Sequence, residues 1–382
     1  MAFAAAPPLA LYAHIPWCVR KCPYCDFNSH AQTGPLPERA YVDALLEDLD
    51  SERPRVQGRS VTSIFIGGGT PSLFSAEGID RLLTGVRARF HCPPDLEITL
   101  EANPGAADAA RFAEYAAAGV NRLSIGVQSF DDDRLAALGR VHDGRQARAA
   151  AEMAHEAGLE NFNLDLMFGL PGQDPEGALA DVRAALDLKP AHLSHYELTL
   201  EPNTLFHAQP PRLPGDEAVG RMLAVCGGLL EARGYGRYEV SAYARPERRC
   251  RHNLNYWQFG DYLGIGAGAH GKVTRPAQGL IERNRKQKHP RTYLNDPQRE
   301  TGRTTLSDRD ALLEFMMNAL RLTEGVPASW FAQRTGLDLN EAQPVLDQAR
   351  EQGVMTVDPS RLAATPLGYA HLDTLLTRWT PP

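Results

Sequence analysis

The sequence has no uninterrupted apolar run that approaches the ~20 residues a membrane-spanning helix needs. Its apolar N-terminus, residues 1–10, carries no basic residues, so a secretory signal is not expected. Positive charge is also in short supply, because 40 lysines and arginines stand against 47 acidic residues and give a net charge of −7. Nucleic-acid binding needs a basic surface, so no nucleic-acid partner is expected. These absences predict a globular cytoplasmic protein.

Cysteine is scarce, with six residues in the whole chain, and a disulfide framework is not expected in a reducing compartment. Three of the six lie close together, at Cys18, Cys22 and Cys25. Clustered thiols in an intracellular protein are typical of metal binding or catalysis. Thiolates bind both iron–sulfur clusters and zinc. The spacing alone therefore leaves open a structural zinc site, completed by His14 or His30.

Short β-rich runs alternate with helical patterns through the first 200 residues. The predicted strands are 11–15, 61–66, 96–100, 122–127, 162–167 and 192–198. Ser75 is a predicted helix N-cap, and Gly119 and Gly158 stand where helices end. Repeated β–α units predict an α/β fold with a parallel sheet and right-handed crossovers. Six units predict a partial (β/α)6 barrel, since a closed eight-stranded barrel typically needs ~250 residues.

The second half of the chain has a different pattern. Proline is frequent between residues 202 and 214, which predicts a connector. A helix, a strand and a glycine-rich stretch follow, and helices dominate after Ser307. The predicted helices are 307–321, 327–336 and 340–352, followed by short strands near 354–357 and 361–364. We therefore expect three parts: a partial barrel at 1–215, a barrel extension at 216–300 and a small α+β, winged-helix-like domain at 301–382.

Polar or glycine-rich motifs follow five of the predicted strands. They are residues 14–18, 67–71, 101–104, 126–130 and 165–172. All lie at the carboxyl ends of strands, the face at which parallel barrels place their ligands and chemistry. We therefore expect a single site at this face, and the cysteine loop belongs to it.

The cysteine loop resembles the signature of the radical S-adenosylmethionine (SAM) superfamily. It reads Cys-x3-Cys-x2-Cys, with Tyr24 just before the last cysteine. In that family three cysteines hold a [4Fe–4S] cluster, whose fourth iron is chelated by the amine and carboxylate of SAM. The resemblance therefore implies a barrel of the radical SAM kind, with Cys18, Cys22 and Cys25 as cluster ligands and SAM as a cofactor.

The same resemblance implies where SAM binds. Gly68, Gly69 and Thr70 match the glycine-rich strand end of the family, where glycine lets the backbone approach a ligand closely. Glu101 ends an otherwise apolar strand, where a carboxylate needs a partner, and the resemblance implies a hydrogen bond to the ribose or amine of SAM. Tyr12 would line the adenine.

Other residues match further SAM contacts. Tyr24 would line the adenine with Tyr12. Gln128, Arg140 and Asp165 match positions that contact a second SAM molecule in coproporphyrinogen dehydrogenases. The alternative for Arg140 and Asp165 is a structural ion pair.

Two longer segments, residues 12–18 and 21–30, resemble the oxygen-independent coproporphyrinogen III dehydrogenase group. That group contains true dehydrogenases, which oxidatively decarboxylate propionates, and a heme chaperone branch. The dehydrogenases carry a fourth cysteine two residues after the third. Phe27 stands at that position here and cannot ligate iron. This departure favours the chaperone branch, and we assign no catalytic residue.

A second motif, residues 252–257, matches the His-Asn-x-x-Tyr-Trp pattern of the chaperone branch. The resemblance implies heme binding by His252, Asn253, Tyr256 and Trp257. Imidazole is a common ligand of heme iron, and aromatic side chains offer flat surfaces to the macrocycle. The alternative is that the aromatic residues belong to the core and that His252 is hydrogen-bonded. A basic run, Arg283, Arg285, Lys286 and Lys288, either meets heme propionates or is a solvated charged face.

These features predict a heme chaperone that binds a [4Fe–4S] cluster, SAM and heme. The implied partners are heme donor and acceptor proteins, with a respiratory protein as the expected acceptor. Peripheral membrane association through that acceptor and formation of a homodimer are further expectations. Two hypotheses compete with this one. The first is radical dehydrogenation of coproporphyrinogen, and the second is a zinc-stabilised binding module.

Overall fold

The computed structural model describes residues 1–105 and 110–380. The strands of these residues are β1 (Leu9–Ile15), β2 (Trp17–Cys18), β3 (His30–Ala31), β4 (Val61–Gly68), β5 (Glu97–Ala102), β6 (Arg122–Gln128), β7 (Phe162–Phe168), β8 (His192–Glu197), β9 (Gly236–Glu239), β10 (Ala242–Ala244), β11 (Asp261–Ile265), β12 (His270–Arg275), β13 (Leu280–Lys286), β14 (Glu300–Thr305), β15 (Val326–Pro327) and β16 (Arg361–Leu362).

The α-helices of the same residues lie between and after these strands. They are Glu38–Glu52, Ala76–Arg87, Phe112–Ala118, Asp132–Ala137, Gly144–Glu156, Pro175–Asp187, Leu205–Ala208, Asp216–Ala232, Arg251–Trp257, Pro290–Asn295, Asp308–Ala319, Ser329–Thr335, Gln343–Glu351, Pro366–Ala370 and Leu372–Leu376. No helix in the described ranges is both long enough and apolar enough to cross a lipid bilayer.

A sheet of twelve strands organises the chain, in the order β14-β13-β12-β11-β1-β4-β5-β6-β7-β8-β10-β9. Its central strands, from β11 through β1 and β4 to β8, run parallel to their neighbours. All six predicted strands are present, with ends that differ from the prediction by at most two residues. The predicted partial barrel is therefore confirmed.

The sequence did not predict β11 as a member of the parallel sheet. Its residues were assigned to a glycine-rich stretch, but Leu263 pairs in parallel with Leu11 of β1. On its other side Gly264 lets β11 approach β12, because a Cβ there would stand 1.9 Å from the carbonyl oxygen of His270. The strand that opens the chain is therefore internal to the sheet, between β4 and β11.

Helix ends in the barrel follow local side-chain chemistry. The hydroxyl of Ser75 accepts a hydrogen bond from the Gly78 amide at 3.1 Å, as its predicted N-cap role requires. Gly119 ends the helix Phe112–Ala118 at φ 104°, a conformation that favours glycine. Both predictions are confirmed. The two caps determine where one helix begins and where another ends.

One face of the parallel strands is apolar, whereas the opposite face carries buried polar side chains such as Asn163. Ile64, Leu100, Ile125 and Leu164 belong to four successive strands, and each is at most 1% exposed. Burying side chains of this size contributes roughly 1.5–3 kcal/mol each. The strands are thereby held rigidly, and the loops at their carboxyl ends are held with them.

The C-terminal part has the element order of a winged helix. Helix Asp308–Ala319 precedes β15, two further helices follow, and β15 then pairs antiparallel with β16. Met355 and Ala364 add one antiparallel bridge, close to the predicted pair of short strands. This confirms the predicted smaller C-terminal domain. The chain division at residues 215 and 300 stays a prediction.

Candidate cluster and ligand site

The cysteine loop is anchored at both of its ends. Cys18 ends β2, which pairs in parallel with β3, and the Gln32 amide donates to the Cys18 carbonyl at 2.8 Å. A turn within the loop brings the Cys25 amide to the Cys22 carbonyl at 3.2 Å. All three thiols are partly exposed and line a single cavity of about 340 Å³. The structure therefore brings the three predicted ligands together.

The glycine-rich end of β4 holds the cysteine loop in place. The Gly69 amide donates to Ile15 and the Thr70 amide donates to Trp17, at 2.8 and 2.7 Å. A Cβ on Gly69 would stand 2.5 Å from the Trp17 carbonyl oxygen, which no other residue type tolerates without movement of the backbone. Gly68 adopts φ 124°. These glycines let two backbone segments meet directly at the cavity.

The thiols suit an iron–sulfur cluster better than a single zinc ion. In residues 1–105 and 110–380, no three side chains of His, Cys, Asp or Glu converge closely enough to hold one ion. Zinc takes four ligands at about 2.0–2.3 Å, whereas each thiolate of a cluster binds a separate iron. Burial raises the pKa of Cys18 and of Cys25, and a bound metal reverses this effect by deprotonating its thiol ligands.

His14 is not free to complete a zinc site. Its Nε2 is 2.9 Å from the Asn28 carbonyl oxygen, so this nitrogen donates. Its Nδ1 is 2.9 Å from the Tyr12 hydroxyl and accepts from it. The imidazole therefore supports the loop through Asn28, whose side-chain amide also donates to the Ala267 carbonyl at 2.8 Å.

Eight of the nine predicted SAM residues line the same cavity as the cysteines. They are Tyr24, Gly68, Gly69, Thr70, Glu101, Gln128, Arg140 and Asp165. Tyr12 does not line it, because its side chain packs on Phe65, with ring centroids 6.2 Å apart, and its hydroxyl bonds to His14. Tyr12 thus reaches the loop only through His14, which bonds to the Asn28 carbonyl.

Glu101 is the carboxylate nearest the glycine-rich strand end. It accepts a hydrogen bond from the Gly68 amide at 2.9 Å. Burial and the charge of Asp165 raise the pKa of Glu101 to about 8, against the opposing effect of the Gly68 hydrogen bond. A cationic ligand in the cavity would favour the ionised carboxylate. Glu101 can therefore place a negative charge at the cavity wall when a cationic ligand is bound.

Arg140 connects several walls of the cavity. It donates to the Gly126 carbonyl at 2.6 Å and to Asn103 Oδ1 at 2.8 Å, and its Nη1 is 3.6 Å from Cys22 Sγ. Asp165 accepts instead from Asn163 at 2.8 Å and from a serine hydroxyl. Arg140 and Asp165 thus have separate partners, and the ion pair considered for them is not formed.

Further residues that were not predicted as site residues also line the cavity, among them Asn103, Ser124 and Tyr196. Asn103 donates to Thr70 Oγ1 at 2.8 Å, and Tyr196 donates to Gln128 Oε1 at 2.7 Å. Asn103 follows Glu101 by two residues, so the strand-end motif contained the signal. Tyr196 and Ser124 lie inside predicted strands, where alternation alone does not reveal which side chains face a ligand.

The heme motif lies at the other end of the barrel. Helix Arg251–Trp257 contains His252, which is 1% exposed and packs beneath the sheet. Its Nδ1 is 3.0 Å from the hydroxyl of Ser63, near the amino end of β4, and its Nε2 is 3.0 Å from the Tyr256 hydroxyl. Burial lowers the pKa of His252 to about 3, so the ring is neutral. In this conformation His252 has the hydrogen-bonded interior position that was the alternative to heme binding.

The aromatic residues of the motif are more accessible than the histidine. Tyr256 and Trp257 line a cavity of about 260 Å³ together with Arg283. The Trp257 ring lies under the Arg321 guanidinium, 4.2 Å from its centre. Asn253 is partly buried on the same helix.

The basic run separates into different environments. Lys286 is buried and binds the carboxylates of Asp48 and Glu52 at 2.5 and 2.7 Å. Arg283 pairs with Glu314 and donates to the Tyr262 hydroxyl. Neither interpretation of the run describes Lys286, which is part of the core.

Comparison with known proteins gives a consistent result. Residues 12–185 match the model of the Radical SAM superfamily, and residues 306–371 match that of the HemN C-terminal domain. The structure of coproporphyrinogen III oxidase (HemN) from Escherichia coli superposes with a TM-score of 0.81 at 24% identity, over 98% of this chain and 90% of that one. This likeness concerns the fold and confirms its predicted class.

Two curated relatives extend the comparison to the whole chain. Heme chaperone HemW of Escherichia coli (strain K12) is 52% identical over 370 residues, which cover 97% of each chain. Heme chaperone HemW of Bacillus subtilis (strain 168) is 36% identical over 94% of this chain and 95% of its own. The predicted resemblance is confirmed, and the chain belongs to the HemW family of the radical SAM superfamily.

Proposed function

We propose that this protein is a heme chaperone, which binds a [4Fe–4S] cluster and SAM at the cysteine cavity and passes heme to an acceptor protein. The observation that carries the proposal is the meeting of Cys18, Cys22 and Cys25 with eight further predicted residues at a single cavity. Relatives named heme chaperone HemW, at 52% and 36% identity over nearly the whole chain, support it.

In this proposal the three thiolates hold the cluster, which supplies a redox-active iron centre with one open coordination position. Gly68, Gly69 and Thr70 border the methionine part of SAM, because their backbone comes closest to the cysteine loop. Glu101 offers the carboxylate for the amine or ribose. The guanidinium of Arg140 lies 3.6 Å from Cys22 Sγ and places a positive charge beside that ligand.

The remaining cavity residues shape the adenine and ribose side. Tyr24 lines the cavity between the cysteines and packs near Phe206, with ring centroids 6.4 Å apart. Gln128, at φ 69°, holds a left-handed backbone that non-glycine residues rarely adopt, and the Tyr196 hydroxyl fixes its side chain. Asp165 faces the cavity from β7. The stoichiometry of SAM binding distinguishes one bound molecule from two.

For heme we propose the surface beside helix Arg251–Trp257. Tyr256 and Trp257 supply aromatic faces, Arg283 supplies a cation for a propionate, and Asn253 supplies a polar group on the same helix. Ligation of heme iron by His252 requires this ring to leave its partners, Ser63 and Tyr256. Heme binding is therefore expected to reorganise this helix.

The competing function is dehydrogenation of coproporphyrinogen. Phe27 occupies the position of the fourth dehydrogenase cysteine and is 60% exposed at the cavity mouth. A phenyl ring neither ligates iron nor transfers a proton, which favours the chaperone.

The proposed chaperone function also includes a cytoplasmic location, a homodimer, and a respiratory acceptor reached through peripheral membrane association.

The test begins with anaerobic reconstitution of the full chain with iron and sulfide, followed by titration with hemin. We expect a broad absorption band near ~400 nm, typical of a cluster, to vanish in Cys22→Ser and to persist in Cys92→Ser, which removes a partly buried thiol outside the cavity. Hemin should shift its Soret band on binding, and the shift should change in His252→Ala. Anaerobic conversion of coproporphyrinogen to protoporphyrinogen by the purified protein would instead establish the competing function.

A further inference from the structure

A continuous chain of hydrogen bonds crosses the interior of the barrel, from the heme-motif helix to the SAM cavity. It starts at the amide of Cys250, the N-cap of helix Arg251–Trp257, which donates to the Tyr238 hydroxyl at 3.4 Å. Tyr238 Oη is 2.8 Å from His192 Nε2, and His192 Nδ1 is 2.7 Å from Asn163 Oδ1. Asn163 Nδ2 then donates to Asp165 Oδ1 at 2.8 Å.

All of these bonds point the same way. An amide oxygen only accepts, so His192 Nδ1 carries a proton and its Nε2 accepts from the Tyr238 hydroxyl. Burial lowers the pKa of His192 well below its usual value, which keeps the ring neutral, and the Asn163 oxygen places its single proton on Nδ1. Hydrogen bonds that point in one direction polarise one another and strengthen together. The chain therefore ends on Asp165 as its final acceptor.

Both ends of the chain lie at functional elements. Asp165 lines the SAM cavity, and its second oxygen accepts from Ser124, which itself accepts from Asn163 at 2.9 Å. At the other end Cys250 begins the helix of the heme motif, whose His252 amide is held by Glu97 at 3.1 Å. Asn163, His192 and Tyr238 are each at most 2% exposed, so water does not compete for their partners.

From this arrangement we infer that Asn163, His192 and Tyr238 are positioning residues, which hold Asp165 toward the SAM cavity and couple its occupancy to the heme-motif helix. The inference rests on the proposed function for its two ligands. A ligand that draws on the Asp165 carboxylate changes the partner of Asn163, and each later bond must adjust in turn. Binding at one end then alters affinity at the other, and the effect is reciprocal.

The chain offers closely matched controls. Tyr235 is as buried as Tyr238, at 1% exposure, but its hydroxyl donates to the Pro190 carbonyl outside the chain of bonds. His195 lies on the same strand as His192 and is also buried, yet neither of its ring nitrogens has a partner. Tyr238→Phe and Tyr235→Phe each remove one buried hydroxyl, and only the first removes a link.

The experiment measures two affinities in the cluster-reconstituted full chain. Equilibrium dialysis gives the Kd of SAM, and Soret titration gives the Kd of hemin with and without saturating SAM. In the native chain we expect SAM to change the hemin Kd at least about fivefold, the lower end of usual allosteric coupling. Tyr238→Phe should bring this ratio close to one and raise the SAM Kd severalfold. Tyr235→Phe should change neither.

The outcomes separate the inference from the proposed function. An unchanged ratio and unchanged SAM Kd in Tyr238→Phe overturn the inference, as does a ratio of one in the native chain. If the native chain binds no hemin, the proposed function fails, and the SAM Kd of Tyr238→Phe alone decides whether the positioning role stands. Should Tyr238→Phe not fold, His192→Phe replaces it, with His195→Phe as its control.

Discussion

Replacement of Glu101 by glutamine should stabilise the ligand-free protein at neutral pH. Burial, together with the charge of Asp165, raises the pKa of Glu101 from 4.5 to about 8. The folded state therefore holds this proton more tightly than the unfolded state, so stability is fully present below pH 4.5 and falls as the pH rises to 8. One pKa unit corresponds to 1.36 kcal/mol, which gives a loss of roughly 3 kcal/mol at pH 7.

Water in the open cavity reduces this figure, and we expect a gain of about 1–3 kcal/mol for Glu101→Gln at pH 7. Urea unfolding at pH 5, 7 and 8 measures it, with the exposed Glu152→Gln as the control. The difference between Glu101→Gln and the native chain should be small at pH 5 and largest at pH 8. A difference that does not depend on pH would refute the reasoning. The same variant should bind SAM more weakly, so that stability and binding change in opposite directions.

Two further predictions concern backbone fit and buried charge. Gly69→Ala should displace the cysteine loop, because its Cβ would lie 2.5 Å from a backbone carbonyl oxygen. The iron and sulfide bound per chain should therefore fall. In the control Gly220→Ala the new Cβ meets nothing within 4 Å, so the iron and sulfide content should stay unchanged. Lys286→Met leaves the buried Asp48 carboxylate without its cation and should cost about 3–5 kcal/mol in urea unfolding. Arg285→Met, at an exposed position of the same strand, should cost little, and equal losses in the two variants would contradict this argument.

Much of the fold was accessible from the sequence because it depends on local patterns. The six strands of the barrel were predicted within two residues, since apolar runs and strand-end motifs mark both of their limits. The parallel pairing of β11 with β1 was not, because it joins residues about 250 positions apart and no local pattern records such a partner.

In the candidate site too, features set by local motifs were predictable and features set by distant partners were not. Its cavity residues follow strands whose carboxyl ends meet, so sequence motifs predicted eight of them together. The position of His252 was not predictable, because a motif gives the neighbours of a residue along the chain and not its exposure. Lys286 looked like one of a solvated basic run, yet two carboxylates from a distant helix draw it into the interior. Burial of charge is decided by such partners.

The internal position of β1 has a consequence for biosynthesis. When the first 200 residues have left the ribosome, β1 (Leu9–Ile15) can already pair with β4 along one edge. Its other edge pairs with β11, whose residues 261–265 have not yet been synthesised. Until then a row of backbone amides and carbonyls is open to pairing with other nascent chains. In a polypeptide that stops near residue 215, this edge of β1 would stay unpaired permanently. Such a fragment is expected to aggregate even though it contains every cysteine of the cluster loop.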